Sequence, residues 1–263
     1  MKTWLVKIMG VDGKENEEVS LPPVFKTPYL PQVIKKVYVN LDSHSYQKQG
    51  RFPAAGEIVS AESRNTGLGI ARIARARGEG FPRAGQAAGV AGVRHGRVAH
   101  PPQSWKNINK KINKKEKFLG LCSAIAATSQ KTLVVNRGHK VEDVSHFPVI
   151  VSNEIEAISK TKELKTMLER LGLGKELDRV YNKKSSKKIV SALIVVSNDD
   201  KIRVLDQSIP GVSIKKLQSL SVLDLAPGAK PIRLTIFSKN AIEELKTKKS
   251  SFIKIMELIN KNE

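Results

Sequence analysis

The 263 residues carry 46 Lys+Arg against 25 Asp+Glu, a formal net charge of +21, with 40% hydrophobic residues, 5% aromatic residues and one cysteine. That apolar fraction is enough for one large or two modest cores, which excludes a globally disordered chain. A single thiol excludes an internal disulfide scaffold and the usual zinc sites, which need several Cys or His ligands at short spacing. The surplus of positive charge predicts a polyanionic partner, nucleic acid first among them.

In chain order, the opening MKTWLVKIMG breaks its apolar run at Lys7 and meets Asp12, Glu15, Glu17 and Glu18, so it has no signal-peptide core. No stretch approaches the roughly 18 consecutive apolar residues of a membrane helix. The expectation is a soluble intracellular protein with no membrane partner. Residues 3–9 are β-rich, Asp12-Gly13 is a turn signal and 15–21 follows as a second strand, which predicts a short hairpin. A first strand that feeds a turn rather than a glycine loop and a helix argues against a dinucleotide site. Beyond Pro28 and Pro31, the spacing of Val33, Ile34, Val37, Tyr38 and Leu41 predicts a helix over 32–44.

From 47 to 105 no period of 2 or 3.6 is sustained. The window 64–97 holds seven arginines, no lysine, eight of the 18 glycines and one acid, Glu79, whereas 33 lysines and only six arginines fall elsewhere. A structureless segment of this length inside a compact domain is either disordered or functional. Its large apolar residues are too few to build a core, so the free arm is expected to be disordered, and protease resistance of 64–97 in the isolated chain would refute this. Arginine presents a planar fork that pairs bidentately with phosphate and stacks on bases. Glycine allows close backbone approach. The pattern suits either an arm pressed against folded RNA or a loose Gly/Arg linker, and the non-repetitive punctuation by Pro82, Pro101 and Pro102 favours the former.

Trp105 opens a stretch in which Ile108, Ile112, Leu119, Cys122 and Ala126 share one helical face while Lys106, Lys110, Lys111, Lys114, Lys115 and Lys117 coat the first half. The prediction is a helix of about 24 residues within 105–130, about 36 Å long. Strand-like runs at 131–135, 147–151, 189–196 and 232–237 then alternate with helical patterns at 158–171 and 241–248, with Gly172, Gly174 and Gly228 as stops. This rhythm predicts the fold class: α/β, a layered, mainly parallel sheet with flanking helices, plus a long extended Gly/Arg-rich loop inserted in the N-terminal half. The predicted body is 1–46 with 106–263, and the arm 47–105. Lys183, Lys184, Lys187 and Lys188 read as a basic loop, functional or merely solvated.

The run GLGIARIARARGEGFPRAGQAAGVAGVRHGRVAHPPQSW, then KINKKEKFLGLCSAIAATSQ and VLDLAPG at 222–228, resembles the universal large-subunit ribosomal protein L-four family in its archaeal and eukaryotic form, over essentially the whole chain. The resemblance implies a cytoplasmic structural constituent of the large ribosomal subunit, early in assembly and without catalytic role. Its arm would thread through large-subunit rRNA to line the nascent-peptide exit tunnel, with neighbouring ribosomal proteins and the nascent peptide as further partners. The implied tunnel tip is Ile70, Arg72, Ile73, Arg75 and Arg77, with outbound leg 50–65 and returning leg 83–100. Candidates for rRNA contact are Arg51, Arg64, Arg72, Arg75, Arg77, Arg83, Arg94 and Arg97 for phosphate. His95, His100 and Trp105 would stack on bases or pack at the arm's root, and Lys106, Lys110, Lys111 and Lys114 would form a phosphate-facing ridge.

The rival expectation is an RNA-modifying enzyme, methyltransferase-like, with a basic substrate arm. It needs a glycine-rich cofactor loop and a polarised acid or base in a cleft. Gly67-x-Gly69 lacks the third glycine and the preceding strand. Glu142, Asp143 and His146 read as a surface cluster rather than a metal site, and Cys122 as a small buried hydrophobe. No catalytic residue, cofactor, metal or small-molecule substrate is expected.

Overall fold

The computed structural model describes residues 5–182, 189–230 and 232–246, so the lysines at 183–188 lie outside the described residues. The elements are β1 (Leu5–Met9), β2 (Glu15–Ser20), α1 (Pro31–Asp42), β3 (Ala61–Ser63), β4 (Ala74–Ala76), α2 (Lys114–Ala127), α3 (Lys131–Asn136) and β5 (Val149–Val151). They continue with α4 (Thr161–Leu168), α5 (Gly174–Tyr181), β6 (Leu193–Val196), β7 (Ser213–Lys216), α6 (Val222–Leu225), β8 (Thr235–Ser238) and α7 (Lys239–Lys246). Two compact units result, one of residues 1–43 with 110–263 and one of residues 44–109.

The first unit is built on a six-stranded sheet in the order β2-β1-β5-β8-β6-β7. Only β1 and β2 pair antiparallel, and every other pair is parallel. Alternation along the strands sends Ile150, Leu193, Val195 and Phe237 to one face, where they meet Ile34, Val37, Leu121 and Ile125 of α1 and α2. Val149, Val151, Ile194, Val196 and Ile236 go to the other, against Leu164, Met167 and Leu168 of α4 and Leu177 of α5. A sheet covered on both faces reads as continuous apolar strands, which is why β5 and β6 were recognisable.

α1 and the segment leading into α2 run antiparallel. Lys110 N–H donates to Ser43 Oγ (2.9 Å), Lys36 Nζ pairs with Glu116 (2.7 Å) and Leu30 N–H donates to Ser123 Oγ (2.8 Å). Gly120 sets the closeness of this contact, because a Cβ there would lie 2.8 Å from Val37 Cγ2. Gly120→Leu should therefore lower stability by about 1–3 kcal/mol despite the better helix propensity, read as a lower urea midpoint.

Three expectations need correction. The run 131–135 is helix α3, not a strand. Its chain is already wound by the i→i+3 turn bonds of Thr128, Ser129 and Gln130, which lead directly into the helix. Only Val134 of α3 is buried while Val135 is exposed, so tertiary packing overrides the β preference of its branched residues. The helix predicted within 105–130 is the 14-residue α2. Residues 105–113 are non-helical, because five lysines at 106, 110, 111, 114 and 115 repel, and Lys110 N–H is committed to Ser43 rather than to a helical carbonyl. The helix over 158–171 begins at Thr161, passes through a wide turn at Glu169–Leu173 where Gly172 takes φ 80, and resumes as α5. Gly174 opens a helix instead of closing one. The sequence reading also missed β7, an edge strand with only Ile214 buried.

One polar cluster is sealed inside this unit. The Glu176 carboxylate accepts from His139 Nδ1 (2.7 Å), Arg179 Nε (2.8 Å) and Nη2 (2.6 Å), Ser191 Oγ (3.1 Å) and the Lys140 N–H (2.9 Å). Burial alone would raise its pKa, but the Arg179 and His139 hydrogen bonds outweigh it and hold the carboxyl at about 2. Burial lowers the pKa of His139, against the pull of Glu176. We take the ring as neutral, since Nε2 faces the Leu234 N–H at 3.4 Å and so accepts.

Candidate nucleic-acid interface

Residues 44–109 count ten basic residues against three acids, Glu57, Glu62 and Glu79. Within this unit, residues near 50–63 run beside residues near 86–104. The Arg51 N–H donates to the Pro102 carbonyl (3.1 Å), and the backbone at Gly50 abuts Ser104. Gly56 is required twice over, by its φ of +86 and because a Cβ would meet the Gly96 and Arg97 backbone at 2.7–2.8 Å. Farther along, β4 lies between the two runs. It pairs antiparallel with β3 through Ala61↔Ala76, Glu62↔Arg75 and Ser63↔Ala74, and Arg75 bridges to Ala87 on its other side.

Alanine at this triple junction lets three backbones approach. Ala76 and Ala88 are the only buried residues of the unit. The large apolar side chains stay outside: Ile58 is 72% exposed and Trp105 68%, with Phe52, Leu68, Ile70 and Phe81 also exposed. Backbone hydrogen bonds and turns, not a core, define this unit.

The candidate side chains fall into three groups. Arg51, Arg64, Arg72 and Arg94 are exposed, and among the described residues no acid lies within ion-pairing distance of them. Arg77 pairs with Glu62, and Arg97 Nε lies 3.3 Å from Glu57. Arg75 and Arg83 are half-buried: Arg75 Nη1 donates to the Gly85 carbonyl (2.9 Å) while its buried Nε has no partner among the described residues, and Arg83 Nη2 reaches the Arg94 carbonyl at 3.4 Å. His95, at φ 60, and His100 and Trp105 are exposed.

The residues of the implied tip fall in two places. Ile70, Arg72 and Ile73 lie in the turn between β3 and β4, but Arg75 is in β4 and Arg77 follows it directly, bonded through its N–H to the Ser60 carbonyl (3.0 Å). Small alternating alanines pair well enough to turn 74–76 into a central strand. The sequence reading missed Glu57 and Glu62 as arginine partners; they lie outside the arginine-rich window and only the fold brings them in.

In the other unit, Lys110, Lys111 and Lys114 are exposed, as are Lys35 and Lys36 on α1. Lys106, in the insertion, is exposed too. Their sequence signal was the charge run itself.

The enzyme-like signals resolve into structural roles. Gly67 and Gly69 lie in the β3–β4 turn, with no helix after them. Lys175 holds Glu142 (3.2 Å) and Asp143 (3.1 Å), His146 holds Glu15 (2.9 Å), and no group of three metal-ligating residues occurs among the described residues. Cys122 is buried, which pushes its thiol up to about 12. At the carboxyl ends of the parallel strands, where open α/β sheets take ligands, Glu156 already accepts from the Ser197 N–H (3.1 Å), Ser238 Oγ (2.7 Å) and Asn240 Nδ2 (3.3 Å). An internal carboxylate thus occupies donors that a phosphate-bearing cofactor would need. No helix among the described residues is long and apolar enough to cross a membrane.

Fold and surface together define a class: an α/β domain with a doubly covered, mainly parallel sheet, interrupted by a cationic insertion that has almost no core of its own. A profile of the "Ribosomal protein L4/L1 family" matches residues 19–248. The "Large ribosomal subunit protein uL4" of Methanopyrus kandleri is 34% identical over 250 residues, covering 90% of this chain and 96% of that protein. Proteins of the same name from Pyrobaculum aerophilum (37% over 254 residues, 92% and 89% covered) and Candida albicans (35% over 256 residues, 91% and 70% covered) are similar. The chain belongs to the ribosomal protein L4/L1 family. That family is structural and non-enzymatic, and the methyltransferase-like alternative finds no support in it.

Proposed function

We propose that this chain is a structural constituent of the large ribosomal subunit in the cytoplasm, binding large-subunit rRNA and contacting neighbouring ribosomal proteins. Residues 44–109 supply the principal RNA-binding surface and become ordered on RNA, with Arg51, Arg64, Arg72, Arg75, Arg77, Arg83, Arg94 and Arg97 directed to phosphates. His95, His100 and Trp105 contact bases, and Lys106, Lys110, Lys111 and Lys114 contact further phosphates. The turn carrying Ile70, Arg72 and Ile73, with Arg75 and Arg77 behind it, reaches the nascent-peptide tunnel.

The observation that carries this reading is the combination, in one unit, of an excess of seven positive charges with only two buried residues. Such a segment gains little from burying itself and much from releasing counterions against a polyanion. The name that the relatives share supports the particle. Co-sedimentation with large subunits at about 0.5 M salt tests it, since that ionic strength strips loose electrostatic binders. The intact chain should stay with the particle and a version lacking 64–97 should be released more readily; complete loss of the intact chain would overturn the reading.

A further inference from the structure

The two ends of the insertion, near 45–49 and 102–108, line a cleft of about 670 Å³, within the range of pockets that take small organic groups. Tyr46, Gln47, Gln49, Gln103, Lys106 and Ile108 face it. The composition is unusual for this chain. The lining has one cation, no acid and three primary amides, and among the described residues those amides make no hydrogen bond. A turn in which the Lys106 N–H donates to the Gln103 carbonyl (3.1 Å) holds Gln103 and Lys106 beside each other.

A side-chain amide presents a donor and an acceptor side by side, the complement of an adenine edge. An aromatic ring such as Tyr46 offers a stacking platform, and a lysine at the rim suits the phosphate of the same nucleotide. A purely phosphate-binding groove would be lined by cations, as the rest of the insertion is. We infer that this cleft captures a single unpaired adenosine of the bound RNA, read by Gln47 and Gln103 and stacked on Tyr46, with Lys106 on its phosphate. The inference rests on the rRNA-binding reading and adds a base-reading site to it.

The test measures binding of the full chain to oligoadenylate and oligouridylate of equal length in about 50 mM salt, for the natural sequence and for the Gln47→Ala/Gln103→Ala variant. Both glutamines are exposed, and an unchanged urea midpoint checks the fold. The natural chain should prefer adenylate, and the variant should lose about tenfold of that preference while its affinity for uridylate stays put. An unchanged preference overturns the inference, as does an equal fall for both oligomers, which would make the cleft part of the phosphate track. Failure of the natural chain to bind either oligomer strikes the RNA-binding reading itself.

Discussion

Replacing Arg64, Arg72 and Arg94 together by alanine should weaken binding to large-subunit rRNA by about a hundredfold near 0.15 M salt and flatten the log–log salt dependence by about 2.7. These three are exposed, and no acid among the described residues neutralises them, so each can displace counterions with its full charge. Double-stranded nucleic acid returns a slope of about 0.9 per neutralised phosphate, which sets both figures. The complementary variant is Glu62→Gln. It releases Arg77 from its ion pair and should strengthen binding modestly, because an exposed pair is worth little to the fold. Filter binding across a salt series reads both, and an unaltered slope in the triple variant would show that these arginines do not reach phosphate.

The largest expected effect on stability comes from the other unit. Glu176→Ala leaves Arg179 without its carboxylate and takes an acceptor from the buried Nδ1–H of His139, and breaking a buried charged cluster from one side costs about 3–5 kcal/mol. That is a large share of an ordinary domain's total of about 5–15 kcal/mol. The pH dependence has a definite sign. His139 is held neutral, so below its ordinary value of 6.5 the unfolded chain takes up a proton that the folded chain refuses, and stability falls. Glu176 adds a second loss: its stabilisation is complete above its ordinary value of 4.5 and disappears as pH falls toward about 2. Urea unfolding followed from pH 7 to pH 2 should show both declines, and Glu176→Gln should abolish the lower one. A flat profile in the natural chain would mean that the cluster stores no such energy.

Much of this protein can be read without coordinates. The segregation of arginine from lysine in 64–97 is plain in the sequence, and it is what directs the proposed RNA-binding surface to that window, since clustered like charges repel one another unless an anion offsets them. The β1–β2 hairpin, helix α1 and strands β5, β6 and β8 follow from local signals: a turn dipeptide, a 3.6-residue apolar period, and continuous apolar runs that only a doubly covered sheet requires. Residues 131–135 show where that method stops, because Thr132, Val134 and Val135 favour a strand by propensity and become α3 by position.

The tertiary structure alone decided which charges are available and which are spent. Arg64 and Arg77 look alike in sequence, yet Glu62 meets only Arg77, because β3 and β4 pair in a register that no local pattern announces. Glu176 stands one residue after Lys175 on an amphipathic helix and resembles a solvated acid, yet it is sealed against His139 and Ser191, 37 and 15 residues away. Composition, period and charge are properties of neighbours along the chain, so the sequence determines them. Pairing between distant residues depends on how the sheet and the helices close on one another, and only the folded chain can decide it.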